Sequence, residues 1–248
     1  MDKQSFIKNL SRYYLGGKCK DVRWDIVDGS LFVDFLTDDG AMLGTLSAVV
    51  EMPNTTFPIF NTDKFIAMTN VLGDDISVKF VDGRDEPVGI ELADSDAVVY
   101  YKSGKLSRIP DPNGRLEKFR NRGRALSSEP NCVYTIQLDK SFVSKLLKSK
   151  KALSEAEIVA ISLSGSTAEF IVNYSENNEN KITIPFGAVI SGPDNMFIYN
   201  VELLCLVLSI NDDYRTASVK ISDNGLIVME FAAEDYQVTY YLRALNAA

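Results

Sequence analysis

The front of the chain is written a second time further along. Asp2-Lys3 returns as Asp139-Lys140, Ser5-Phe6 as Ser141-Phe142, and Leu10 as Leu146. Ile59-Phe60-Asn61 returns as Ile198-Tyr199-Asn200, Asp74-Asp75 as Asp212-Asp213, and Val78-Lys79 as Val219-Lys220. Glu91 matches Glu230, and Tyr100-Tyr101 matches Tyr240-Tyr241. The matches keep their order, and the offset stays between 136 and 141 residues. A period that long is no solenoid unit, whose repeat runs to about 20–50 residues. A chain of 248 residues holds two domains of ordinary size. The repeat therefore predicts two copies of one domain, 1–104 and 131–248, joined by a connector at 105–130. Pro110, Pro112, Pro130, Gly114 and Gly123 give that connector its linker composition.

Both copies read alike. Phe6, Ile7, Leu10 and Tyr14 share one helical face, as do Phe142, Val143, Leu146 and Leu147. Lys8 and Arg12 lie away from the first apolar face, and Lys145 and Lys148 oppose the second. Val22, Trp24 and Ile26 alternate, Asp28-Gly29 turns, and Leu31, Val33 and Phe35 alternate again, which is a hairpin signature. Ile158 to Leu163, a Ser164-Gly165 turn and Ala168 to Tyr174 repeat it. Asn61 or Thr62 caps a second helix over 63–72 with Gly73 as its stop, and its counterpart runs from Asn200 to Ile210. Strands close each half: 76–81 and 89–101, then 217–222 and 225–242. The expected class is α+β: two similar domains of antiparallel sheets, each backed by two helices.

The formal net charge is −8, but it is unevenly placed. Residues 1–20 carry five basic side chains against one acid, 140–151 carry five against none, and 102–124 carry eight against two. Those 55 residues total +15 and the other 193 total −23. An acidic body with local basic surfaces suits a polyanionic partner. Solvated helix faces are the plainer alternative for any one run, and two runs at equivalent points of a repeat weaken it.

Chemistry is scarce. The chain has no histidine, which removes histidine-based triads and general bases and almost every catalytic zinc site. Cys19, Cys132 and Cys205 stand more than seventy residues apart and form no CxxC pair, so a reducing compartment is expected. No phosphate-binding glycine loop occurs, and Gly16-Gly17-Lys18 is followed by cysteine. Asp38-Asp39, Asp74-Asp75 and Asp212-Asp213 invite a two-metal reading, but aspartate pairs between elements are ordinary turn residues. Tyr100-Tyr101 and Tyr240-Tyr241 invite a stacking platform; strand alternation instead puts one ring of each pair inside and one outside. The expectation is no enzyme, no cofactor, no metal, no small-molecule substrate and no membrane segment.

Duplicated helix–strand–helix–strand halves, a basic helix opening each half, an acidic body and a long connector together resemble the DNA polymerase sliding clamps. The length and two-fold repeat look like the two-domain, proliferating cell nuclear antigen type found in tailed phages, archaea and eukaryotes. The ending Val238-Thr-Tyr-Tyr-Leu-Arg-Ala244 is similar to that family's terminal strand, with Arg243-Ala244 in place of Ala-Pro. The divergence looks more phage-like than cellular. The resemblance covers the whole chain and implies the DNA clamp fold assembled as a homotrimeric ring around duplex DNA. It also implies a processivity factor that tethers the replicative DNA polymerase and is placed by a clamp loader. Its compartment would be the cytoplasm, of the host in a phage, or the nucleus in a eukaryote.

The resemblance assigns residues as well. The DNA-facing set is Lys8, Arg12, Lys145 and Lys148, then Lys3, Lys18, Lys20, Lys140, Lys150 and Lys151. Subunits would pair through strands near 97–102 and 181–186, which brings in Val98, Tyr100, Lys102, Ile182, Ile184 and Phe186. A partner peptide would dock on Leu36, Met42, Ile109, Pro110, Tyr240, Leu242 and Leu245. The second helices depart from the pattern. Lys64 is alone in the first, and 200–210 has Glu202, no base and an apolar circumference, as if part of it met another surface. The basic run at 102–124 has no derivation from clamp function. A virion or scaffold protein with duplicated β-rich domains is the competing reading, and a carboxylate hydrolase a more distant one.

Overall fold

A computed structural model of the chain describes residues 1–84, 86–109, 132–175, 177, 180–186 and 194–245. It divides into two compact units, Met1–Lys118 with Glu234–Val238, and Phe119–Ala233 with Thr239–Ala248.

In the first unit, α1 (Lys3–Tyr14) leads to β1 (Val22–Val27), β2 (Ser30–Leu36), β3 (Met42–Val49) and β4 (Thr55–Ile59). Then come α2 (Thr62–Thr69), β5 (Ser77–Asp82), β6 (Pro87–Ala93) and β7 (Val98–Lys102). The strands run in the order β4-β1-β2-β3 and β5-β6-β7, all antiparallel. The second unit repeats this with β8 (Cys132–Gln137), α3 (Lys140–Ala152), β9 (Ile158–Ser164), β10 (Thr167–Val172), β11 (Ile182–Phe186) and β12 (Asn195–Asn200). It ends with α4 (Val201–Ile210), β13 (Thr216–Ser222), β14 (Ile227–Ala232) and β15 (Tyr236–Leu242), whose first three residues count with the first unit. Its orders are β12-β9-β10-β11 and β13-β14-β15, the first unit's pattern strand for strand, with β8 added beside β13. Only the isolated Asp2–Asp75 bridge stands where β8 would be in the first unit.

The repeated residues do repeated work. Asp2 caps α1 by accepting from the Ser5 N–H at 2.6 Å, and Asp139 caps α3 from the Phe142 N–H at 2.7 Å. Asn61 and Asn200 cap α2 and α4 in the same way. Each such cap is worth about 1 kcal/mol against alanine. Lys220 reaches Glu230 diagonally across β13 and β14 at 2.7 Å, and Lys79 lies directly across from Glu91 in the register of β5 and β6. The tyrosine pairs alternate as strand geometry demands. Tyr101 is buried and Tyr100 exposed, whereas Tyr240 is buried and Tyr241 half-buried. The inward rings are thus Tyr101 and Tyr240, so the offset at this point is 139, the same as for Glu91 and Glu230.

Each unit has its own aromatic core. Trp24 sits edge-on to Phe6 and Phe65, Phe65 contacts Tyr101, and the Trp24 indole donates to the Tyr13 hydroxyl at 3.2 Å. In the second unit Phe142, Phe170 and Phe186 cluster, and Phe231 lies between Tyr214 and Tyr240. The Asp28-Gly29 hairpin forms as expected, with φ of 49° and 73° at its two turn residues. Gly44 is a packing glycine: it stands opposite Phe35, whose ring lies where a Cβ would go. Gly44→Ala is expected to cost about 1–3 kcal/mol by overpacking, seen as a lower urea midpoint at unchanged m-value.

Two expectations need correction. The spans 89–101 and 225–242 are not single strands. Asp94 accepts from the Asp96 and Ala97 N–H groups at 2.7 Å each and turns the chain between β6 and β7. Residues 233–235 separate β14 from β15. The helix expected to reach residue 72 stops at Thr69. The connector at 105–130 lies outside the described residues from 110 onward; before that, Lys105 leads into a short 3-10 turn at Leu106–Arg108, followed by Ile109.

Candidate nucleic-acid interface

α3 is the most basic element described. Its buried side is Phe142, Val143, Leu146 and Ser149. Lys140, Lys145, Lys148 and Lys151 are exposed together with Ser141 and Ser144, and Lys150 is half-buried with its ammonium on the Ser154 carbonyl. Spacings of five, three and three residues put Lys140, Lys145, Lys148 and Lys151 on one continuous flank. Like charges so close repel by a few tenths of a kcal/mol per pair, a cost that an external anion would reverse. The flank can hold a row of phosphates, and it can do no bond chemistry.

The matching face of α1 is thinner than its sequence implies, and Arg12 must be withdrawn from it. Arg12 is only 2% exposed. Its guanidinium donates to the Asn9 side chain and lies 3.5 Å from the centre of the Tyr236 ring, in the Glu234–Val238 segment of the same unit. The cation is held inside by an amide and an aromatic face, not presented to solvent. Lys3 is half-buried, and its ammonium donates to the Leu72 carbonyl just beyond α2. Lys8 and Lys18 are half-buried and Lys20 is exposed. The cation supply is therefore unequal, and α3 carries most of it.

The second helices lie against the first ones, α2 on α1 and α4 on α3. Lys64 is exposed beside exposed Asp63 on α2. The apolar circumference of α4 has a local cause. Val201, Leu203, Leu204, Cys205, Val207 and Leu208 are all buried, packed in the unit's own core with α3, β9 and β12. No foreign surface is needed to explain them.

The strands assigned to subunit pairing are edge strands within their sheets. β7 ends the β5-β6-β7 order and β11 ends the β12-β9-β10-β11 order. On β7, Val98 is 69% and Tyr100 44% exposed, with Lys102 on the same side. On β11, Ile184 is buried, Ile182 is half-buried, and half-buried Phe186 stacks edge-on against Phe142. Pro185 lies on this edge, the place where a strand tolerates proline.

The residues assigned to a partner peptide scatter in exposure. Met42, Tyr240 and Leu242 are 0–1% exposed and belong to the core; the Tyr240 hydroxyl accepts from Asn211 at 3.0 Å. Ile109 is buried, Leu36 is half-buried and Leu245 is 61% exposed. Pro110 lies outside the described residues, as do Arg115, Lys118, Arg120, Arg122 and Arg124 of the basic run. Sequence reasoning missed an apolar outer patch. Val27 and Val49 both lie across from Ser30, and Phe32 is two residues further along β2; all three apolar side chains are exposed. Phe32 occupies the outward position between Leu31 and Val33, so strand alternation already contained that signal.

The remaining chemistry is structural. Burial pushes the Cys19 thiol up to about 12 and the Cys205 thiol up to about 11, far from a reactive thiolate at neutral pH. Asp39 accepts from the Thr37 hydroxyl at 2.7 Å and the Ala41 N–H at 2.9 Å, which hold its carboxyl below the usual range. That is a turn carboxylate. Among the described residues no three metal-ligating side chains cluster, and no helix is long and apolar enough to cross a membrane.

Neither protein-family models nor curated protein sequences match this chain. Solved structures do. The proliferating cell nuclear antigen of Entamoeba histolytica superposes with a TM-score of 0.67 at 12% identity, over 98% of this chain and 96% of that one. A chain of the PCNA2–PCNA3 complex of Sulfolobus tokodaii superposes with a TM-score of 0.70 at 10% identity, over 99% and 97%. With the duplicated strand order and the paired helices, these matches establish that the chain has the two-domain, PCNA-type sliding-clamp fold.

Proposed function

We propose that the protein is a sliding clamp, a non-catalytic ring that encircles duplex DNA without reading its sequence and holds a DNA polymerase on its template. The lysine flank of α3, on a clamp fold, is the observation that carries this reading. Duplex DNA presents one charge per about 1.7 Å, so a row of ammonium groups gains by releasing counterions from phosphate. Phosphate contacts position without specifying sequence, which is what a ring that slides requires. An acidic remainder repels DNA and steers it toward the basic faces.

Ring closure follows from the edges. A heterologous interface that rotates back on itself gives a closed ring. β7 of one subunit adding to β11 of the next would close three two-unit chains and cover two strand edges at once. Light scattering at micromolar concentration should give three times the 27.5 kDa chain mass. A Val98→Asp, Tyr100→Asp variant should run as a monomer with unchanged circular dichroism, because both side chains are exposed in the single subunit. A monomeric wild type would contradict the ring, and extended assemblies with no effect on a polymerase would favour the scaffold reading.

A further inference from the structure

The groove beside α3 in the second unit has about 410 Å³ of space, and the clamp reading uses the lysines on its rim but not its apolar lining. Val143, Leu147 and the Tyr214 ring form its floor, while Lys140, Lys148 and Lys151 stand on its rim with Asp212 as the one acid. The Lys140 ammonium lies 5.7 Å from the Tyr214 ring centre. Tyr214 is 7% exposed, and its hydroxyl has no hydrogen-bond partner among the described residues. Burial and the neighbouring Asp139 carboxylate raise its pKa, so it stays a neutral donor.

The first unit differs at the matching lysine. Lys3, the counterpart of Lys140, is half-buried and tied to the Leu72 carbonyl, whereas Lys140 is exposed beside the Tyr214 ring.

We infer that this groove binds an acidic peptide segment that inserts one large apolar side chain. A duplex is too stiff to fill the floor, and a nucleobase would bring polar edges to a lining of carbon. An aliphatic or aromatic anchor matches the floor, and acidic flanks match the three lysines. Lys140, Lys148 and Lys151 belong to both the rim and the proposed DNA flank, so peptide and duplex would exclude one another.

The probe is a fluorescein-labelled twelve-residue peptide of Asp and Glu with one central leucine, titrated into the full chain by anisotropy. Saturable binding is expected, weakened about ten- to a hundredfold when the leucine becomes serine. Leu147→Asp should abolish it with an unchanged melt. A photoreactive leucine in the same peptide should cross-link wild-type protein within 140–151 or 212–214, which settles the matter if Leu147→Asp fails to fold. Absence of binding, binding indifferent to the leucine, or cross-links elsewhere would overturn the proposal. So would an oligothymidylate that needs Leu147 and displaces the peptide, since the groove would then be a nucleotide seat. These measurements contain no duplex, so their failure leaves the ring reading standing; displacement of the peptide by duplex DNA then tests the two together.

Discussion

Replacing Lys145, Lys148 and Lys151 together with glutamate is expected to remove most duplex binding while leaving the fold intact. All three are exposed on α3, and none lies on its buried side. The slope of log affinity against log salt should fall by about one for each phosphate that the variant no longer neutralises. The same substitutions at Lys8 and Lys20 should have a smaller effect, because Lys8 is half-buried and Lys3 and Arg12 are engaged elsewhere. Nitrocellulose binding over a salt series, with circular dichroism as the control, separates these outcomes. An unchanged slope in the α3 triple variant would remove α3 from the DNA face.

Arg12→Glu is expected to act in the opposite sense, disrupting the fold before any binding can be measured. It would bury a carboxylate against the Asn9 side chain and the Tyr236 ring face, where a guanidinium now sits. Breaking a buried charged arrangement typically costs about 3–5 kcal/mol, a large part of the roughly 5–15 kcal/mol that holds a domain together. Arg12→Met keeps the hydrophobic stem and should cost much less. Thermal melts of both variants beside Lys8→Glu give the comparison: a large drop for Arg12→Glu, and little change for Lys8→Glu. A stable Arg12→Glu protein with weakened DNA binding would return Arg12 to the basic face.

Arg12 also marks where sequence reading stops. Its position on α1, one turn after Lys8, gives an uninterrupted basic stripe on a helical wheel. What removes it is Tyr236, near the other end of the chain, and no local pattern carries that contact. Local devices were legible. The caps at Asp2, Asp139, Asn61 and Asn200, the Asp28-Gly29 turn and the alternation of β1 and β2 all follow from short-range rules. The duplication was legible because several repeated residues have a repeated physical task, the helix caps above all. The breaks at 94–97 and 233–235 were missed although Asp94-Ser95-Asp96 and Glu234-Asp235 are runs of polar turn residues that interrupt the alternation. The groove beside α3 was hidden because Lys3 and Lys140, matched in the sequence, have different partners in the fold, the Leu72 carbonyl and the Tyr214 ring.

The central claim is topological: DNA is held because it is enclosed. Protein loaded on a nicked circular plasmid should stay bound through gel filtration in salt high enough to screen the lysines, and should be lost once a single cut gives the DNA ends. Equal retention on circular and linear DNA, or loss from both in the same salt, would contradict it.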